Sequence, residues 1–310
     1  MLKIGVQSAR WFNKEDPLNS LKYIKECGFD AIDFNIDTYM KTGELVKKGI
    51  FPTVFDKPLD EFLAFFTPLK EASEATGVAI PQMHAPFPVW HKDQDEINAH
   101  IMMALDKCFA LCEYVNCPAI VVHPTAGATK EEEWELNLAI YRSLIPVIKK
   151  YRGVKICLEN LFARRAGRIE EGRFTDAETS CRMIDLLNEE AGGDYFGFCF
   201  DVGHAVLTHR NIKEFIKTMG TRLTILHIHD NNGHEDQHVL PYSCLSGADE
   251  HVCNWQGFVE GLSEIGYSGT LAFETFRVMS TFPEAVRTEL LKLIAGIGRY
   301  WAQEIEKRNR

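Results

Sequence analysis

The chain has 310 residues, 45% apolar and 25% charged, an ordinary globular composition with enough chain to bury a large core without staples. Its 34 Lys and Arg against 44 Asp and Glu give a net charge of −10, which argues against a non-specific nucleic-acid binder. No apolar run approaches the ~20 residues of a membrane span, and a strand-like run opens at once, so we expect no signal peptide.

Strands are expected near 2–7, 29–36, 78–83, 118–122, 154–159, 195–201, 222–229 and 269–274, from runs rich in Val, Ile, Phe and Leu. Helical periodicity fills the intervals, at 17–27, 59–76, 97–115, 130–150, 175–191, 211–219, 254–265 and 282–306. The second of these carries a stripe of Leu59, Phe62, Leu63, Phe66 and Leu69. Gly28, Gly77, Gly153, Gly193 and Gly266 fall where the helices should end. Strand followed by helix, eight times over, predicts the α/β class and a (β/α)8 barrel, in one domain spanning 1–310. A doubly wound open sheet is the rival, weakened in its dinucleotide-binding version because no G-x-G-x-x-G follows the first run. The long connections 37–58 and 230–253 are expected to be functional loops. The nine cysteines lack a framework spacing; Cys157 and Cys199, inside apolar runs, read as reduced buried thiols, so a cytoplasmic protein is expected.

In a barrel the chemistry sits at the carboxyl ends of the strands. Here the third run ends in Gln82-Met83-His84-Ala85-Pro86 and the fourth in Val122-His123-Pro124. The fifth ends in Leu158-Glu159-Asn160, the sixth in Phe200-Asp201-Val202-Gly203-His204, the seventh in His227-Ile228-His229-Asp230 and the eighth in Phe273-Glu274. A lone histidine or carboxylate at a strand end is usually structural or a helix cap; six in succession point to a shared site. Side chains alternate along a strand, so Cys157 lies below Glu159, Cys199 below Asp201, Ile225 below His227 and Ala272 below Glu274. The residues beneath the three carboxylates are small and leave room for a converging polar layer. Mixed His and carboxylate donors suit a divalent metal, Zn²⁺, Mn²⁺, Co²⁺ or Mg²⁺. Asp236-x-His238, on the long loop after the seventh run, adds an Asp/His pair.

The order H-x-P, HP, LEN, C-x-D-x-x-H, H-x-x-D, D-x-H and a final E resembles the xylose-isomerase-like TIM barrels, over essentially the whole chain. That superfamily holds sugar and sugar-phosphate isomerases and epimerases together with endonuclease IV type AP endonucleases. Its one-metal epimerases imply Glu159, Asp201, His227 and Glu274 as metal ligands, with Glu159 and Glu274 also the acid/base pair. Its three-metal endonucleases imply those four plus His84, His123, His204, Asp236 and His238, and all nine positions carry a suitable residue. Departures from the endonuclease pattern concentrate in loops: His229 replaces an Asn, and Leu161-Phe162-Ala163-Arg164-Arg165 and Leu240-Pro241-Tyr242-Ser243 replace small, Gly-rich stretches.

Trp11, Phe87 and Trp90 follow strands and are candidates to line a sugar pocket or simply to pack loops; His229 is a candidate substrate contact. Arg164, Arg165, Arg168 and Arg173, and Arg277 after Glu274, either grip a phosphate or carboxylate or belong to solvated loops interleaved with Glu170 and Glu171. The expected function is a metal-dependent sugar or sugar-phosphate isomerase/epimerase working through an enediolate. The alternatives are a three-zinc phosphodiesterase acting on abasic DNA and a sugar-binding barrel with a vestigial site. A small-molecule sugar is the expected partner, with neither nucleic acid nor membrane; homo-oligomerisation stays open.

Overall fold

The computed structural model describes residues 1–247 and 250–308. Its strands are β1 (Lys3–Gln7), β2 (Ala31–Asn35), β3 (Ala79–His84), β4 (Ala119–Val121), β5 (Lys155–Glu159), a hairpin of β6 (Ala163–Arg165) and β7 (Arg168–Glu170), then β8 (Phe196–Asp201), β9 (Leu223–His227) and β10 (Thr270–Phe273). Eight of them form one parallel sheet in the order β10-β1-β2-β3-β4-β5-β8-β9. The ring closes through Ile228, just past β9: its N–H donates to Ala272 O and its carbonyl accepts from Glu274 N, both at 2.9 Å. The expected (β/α)8 TIM barrel is therefore the fold, and the closing bonds lie at the end where the polar residues gather.

Two hydrophobic groupings follow from strand parity. A large core fills the space between sheet and helices. A small separate cluster, Ala119, Val121, Cys157, Cys199 and Ile225, fills the barrel interior. It comprises the residues directly beneath His123, Glu159, Asp201 and His227 in the alternation. None of the nine cysteines is in a disulfide, and no described helix is long and apolar enough to cross a membrane.

Three connections differ from expectation. The segment expected as one helix over 59–76 is two, Leu59–Phe65 and Thr67–Thr76. Pro68 explains the break, since proline lacks the N–H and crowds the carbonyl four residues earlier. The 37–58 connection holds a helix, Thr42–Lys48, tethered by Thr42 Oγ1 to Pro88 O at 2.8 Å. The third difference is the β6–β7 hairpin after β5, which the charged run Ala163-Arg164-Arg165 did not suggest.

The last helix, Glu284–Arg308, crosses β1 and β10 with a glycine at the contact: a Cβ on Gly298 would lie 2.7 Å from Ile4 Cγ2 and 2.9 Å from Phe273 Cε2. Gly298→Ala should therefore cost about 1–3 kcal/mol by overpacking, read as a lower urea midpoint at unchanged m-value.

Candidate metal and catalytic site

The strand ends converge on a single atom. His227 Nδ1 lies 3.4 Å from Glu159 Oε1, 3.5 Å from Glu274 Oε2 and 4.0 Å from Asp201 Oδ2, with no hydrogen-bond partner of its own. All four side chains are nearly or wholly buried. Donors bound to one ion at about 2.0–2.1 Å lie roughly 3.0–3.4 Å apart, so these spacings are those of a ligand set opened slightly.

Asp33, which the strand-end pattern did not single out, decides which nitrogen of His227 faces the center. Its Oδ2 lies 3.4 Å from His227 Nε2 and accepts from Gln82 Nε2 at 3.1 Å, while its Oδ1 accepts from His84 Nδ1 at 2.9 Å. One buried carboxylate thus orients two stacked imidazoles, whose centroids are 4.3 Å apart. A charged residue inside the apolar run Ala31-Ile32-Asp33-Phe34 was the available signal.

The D-x-x-H spacing has a local cause. Asp201 caps the short helix Val202–Leu207, with Oδ1 accepting from His204 N at 2.6 Å, which leaves Oδ2 for His229 Nε2 at 3.2 Å and for the center. Between them, Gly203 makes room for His229: a Cβ there would lie 1.9 Å from its Cε1. Asn160 ties β5 to β8. Its amide donates to Asp201 O and accepts from Asp201 N, both at 2.8 Å, while its own carbonyl accepts from His204 Nδ1 at 2.9 Å.

The outer residues surround the same mouth. His123 Nε2 is 2.9 Å from Glu159 Oε2, and His84 Nε2 is 3.7 Å from Glu274 Oε1. Asp236 and His238 are brought back over the barrel because Asp230 and Val239 exchange backbone bonds at 3.0 and 3.1 Å. His238 then lies between Glu274 O (Nδ1, 2.9 Å) and Asp236 Oδ2 (Nε2, 3.0 Å), with Asp236 Oδ1 3.9 Å from His204 Nε2. All nine residues of the extended ligand pattern thus meet at one end of the barrel.

Above this floor opens a cavity of about 490 Å³, with Gln7, His84, Glu159 and Glu274 on its polar side and Phe87, Phe162 and Phe276 among its apolar walls. Gln7, also outside the strand-end pattern, donates through Nε2 to Glu274 Oε1. Trp11, Trp90, Arg277 and His229 do not line the cavity. The Trp11 indole donates to Gln7 O at 2.6 Å, Trp90 packs against the core, Arg277 is exposed, and His229 is buried against Asp201, stacked on His238.

Five carboxylates gathered here need positive charge. Burial opposes ionization of Glu159, but His123 and His227 outweigh it and hold its carboxyl well below the usual range. Burial likewise opposes charge on His227 and His204. Cys199 beneath it, then Glu274, Glu159 and Asp33, raise the first well above its ordinary value, and Asp201, Glu159 and Asp236 push the second up to about 10. The unpartnered buried His227 Nδ1 among these carboxylates belongs to a donor set that fits a divalent ion.

The chain matches the xylose isomerase-like TIM barrel family over residues 21–295 and belongs to it. It is 23% identical to the inosose isomerase of Halalkalibacterium halodurans over 321 residues, taking in 99% of this chain and 100% of that one. Among solved structures it is similar to a D-tagatose 3-epimerase-like protein, at a TM-score of 0.70 and 20% identity with all of both chains covered. It is also similar to the IolI protein with a bound zinc atom, at 0.65 and 18%, covering 100% of this chain and 99% of that one.

Asn160→Ala should leave the buried N–H of Asp201 without a partner and cut the tie between β5 and β8. A loss of about 1–3 kcal/mol is expected, with weakened divalent-metal binding, both measurable by unfolding and titration of the same preparation.

Proposed function

We propose that this member of the xylose isomerase-like family is a metal-dependent isomerase or epimerase of a sugar or sugar phosphate. The observation that carries the reading is the convergence of Glu159, Asp201 and Glu274 on the free Nδ1 of His227, beneath a cavity of about 490 Å³, a volume suited to a small polar ligand. The relatives named as an epimerase-like protein and an inosose isomerase support it.

A divalent ion held by Glu159, Asp201, His227 and Glu274 supplies Lewis acidity toward the carbonyl and hydroxyl oxygens of the substrate. The two glutamates are set up alike. Glu159 has Oε2 against His123 and Oε1 toward the center; Glu274 has Oε1 held by the Gln7 amide and Oε2 toward the center. One takes the proton from the carbon beside the carbonyl and the other returns it, through an enediolate; the stereochemistry of the substrate sets the order. The phenylalanine walls limit water around that carbon.

Glu159→Gln and Glu274→Gln should each lower turnover by about 10²–10⁴-fold and stop deuterium exchange from solvent into the carbon-bound position. Exchange persisting in either variant removes that glutamate from the acid/base pair.

Metal binding should release protons. The His227 imidazole ligates only when neutral, and its proton is held above the ordinary imidazole value. Apparent affinity should therefore climb as pH rises through and beyond that value and fall as pH drops. Calorimetry in buffers of different ionization enthalpy reads the protons; pH-independent binding would take His227 out of the ligand set.

The placement of His84, His123, His204, Asp236 and His238 around the mouth favors a second reading, a three-zinc phosphodiesterase acting on abasic DNA. It predicts metal-dependent nicking that weakens as salt rises. Nicking lost in Glu159→Gln, with no exchange on any ketose, would replace the first reading.

A further inference from the structure

The four arginines that follow β5 occupy different settings. Arg164 pairs with Glu235 at 2.7 Å, Arg165 lies 3.8 Å from Glu170, and Arg168 is exposed. Arg173 stands in the cavity wall beside Glu159, half-buried, with Nε shut off from solvent. Among the described residues its guanidinium makes no hydrogen bond or ion pair. Burial works against its charge, and Glu133, Tyr141 and Glu159 at longer range do not make up the difference, so its pKa is lowered.

The backbone delivers it there. Leu161 N donates to Arg173 O at 2.8 Å, which folds the end of the loop back onto its start. That approach requires Gly172, where a Cβ would lie 2.0 Å from Leu161 O. Phe174, next along, is buried in the left-handed region at φ 52°. The two other cations of the cavity wall are engaged: Lys41 with Asp37, and Arg10 with the Ser280 hydroxyl and the Phe276 ring. Five fixed donors on a half-buried, unpaired fork match two oxygens of one anion.

We propose that Arg173 binds an anionic group of the substrate, a carboxylate or a phosphate, so that the enzyme acts on acidic or phosphorylated hydroxy-carbonyl compounds in preference to neutral sugars. This rests on the isomerase reading above and narrows its substrate class. The charged end sits at Arg173 while the reacting carbons lie over the Glu159, His227 and Glu274 floor.

The test compares D-fructose, D-fructose 6-phosphate and 5-keto-D-gluconate with the metal-loaded protein, reading solvent-deuterium exchange. An anionic compound should exceed the neutral one in kcat/KM. That ratio should fall about 10–100-fold in Arg173→Met, mainly through KM, and recover in part in Arg173→Lys. The preferred compound tells phosphate from carboxylate. An unchanged ratio in Arg173→Met overturns the proposal. If none of the three exchanges with the wild-type protein, titration with inorganic phosphate and with glycolate decides separately. Saturable binding weakened at least about tenfold in Arg173→Met at equal metal content upholds the anion site. Absent binding, or binding equal in both proteins, overturns it.

Discussion

Five carboxylates, Asp33, Glu159, Asp201, Asp236 and Glu274, crowd one end of the barrel, and most of the local architecture exists to make that crowding tolerable. Buried like charges repel strongly at low effective dielectric. Each carboxylate here meets at least one imidazole within 4.0 Å, and the imidazoles respond by holding protons more tightly. Positive charge, from imidazole protons or from a bound cation, offsets that repulsion. The small layer beneath it, Cys157, Cys199 and Ile225 with Ala119 and Val121, sets the depth at which the polar groups stand.

Precision comes from groups that do not face the center. Asn160, Asp33 and Gly203 each solve one placement problem: the spacing of β5 from β8, the ring orientation of His227, and space for His229. In each case a second polar or small residue fixes the rotamer or position of a first, which is how a site is held to the tolerance that catalysis needs.

The barrel and the convergence of the inner four side chains were legible in the sequence because both follow from period-two alternation. Once a strand is recognized, a carboxylate two positions above a small residue has its direction decided, as Glu159 above Cys157 does. Asp33 and Gln7 were equally inward but missed: Asp33 sits inside its run, where it resembles an ordinary interruption, and Gln7 ends the first run with neither the charge nor the imidazole that marked the other strand ends. The aromatic candidates divide for another reason. Whether a residue beyond a strand turns inward depends on loop backbone that has no period, so Phe87 lines the cavity with Phe162 and Phe276 while Trp11 and Trp90 miss it.

Loops carrying side chains into the cavity are nevertheless not slack. The 161–173 loop is closed by the Leu161–Arg173 bond and the 230–239 loop by paired bonds between Asp230 and Val239. Each closure places its side chains from a strand end rather than from a free tip, so Arg173, Asp236 and His238 gain nearly the positional definition of Glu159. Two of the departures from the endonuclease pattern lie in or just past these connections, at 161–165 and 240–243, while the strand-end donors are complete. On the isomerase reading proposed above, proton chemistry and ion binding would fall to positions that the barrel geometry dictates, and recognition to positions that the loops can change without disturbing it.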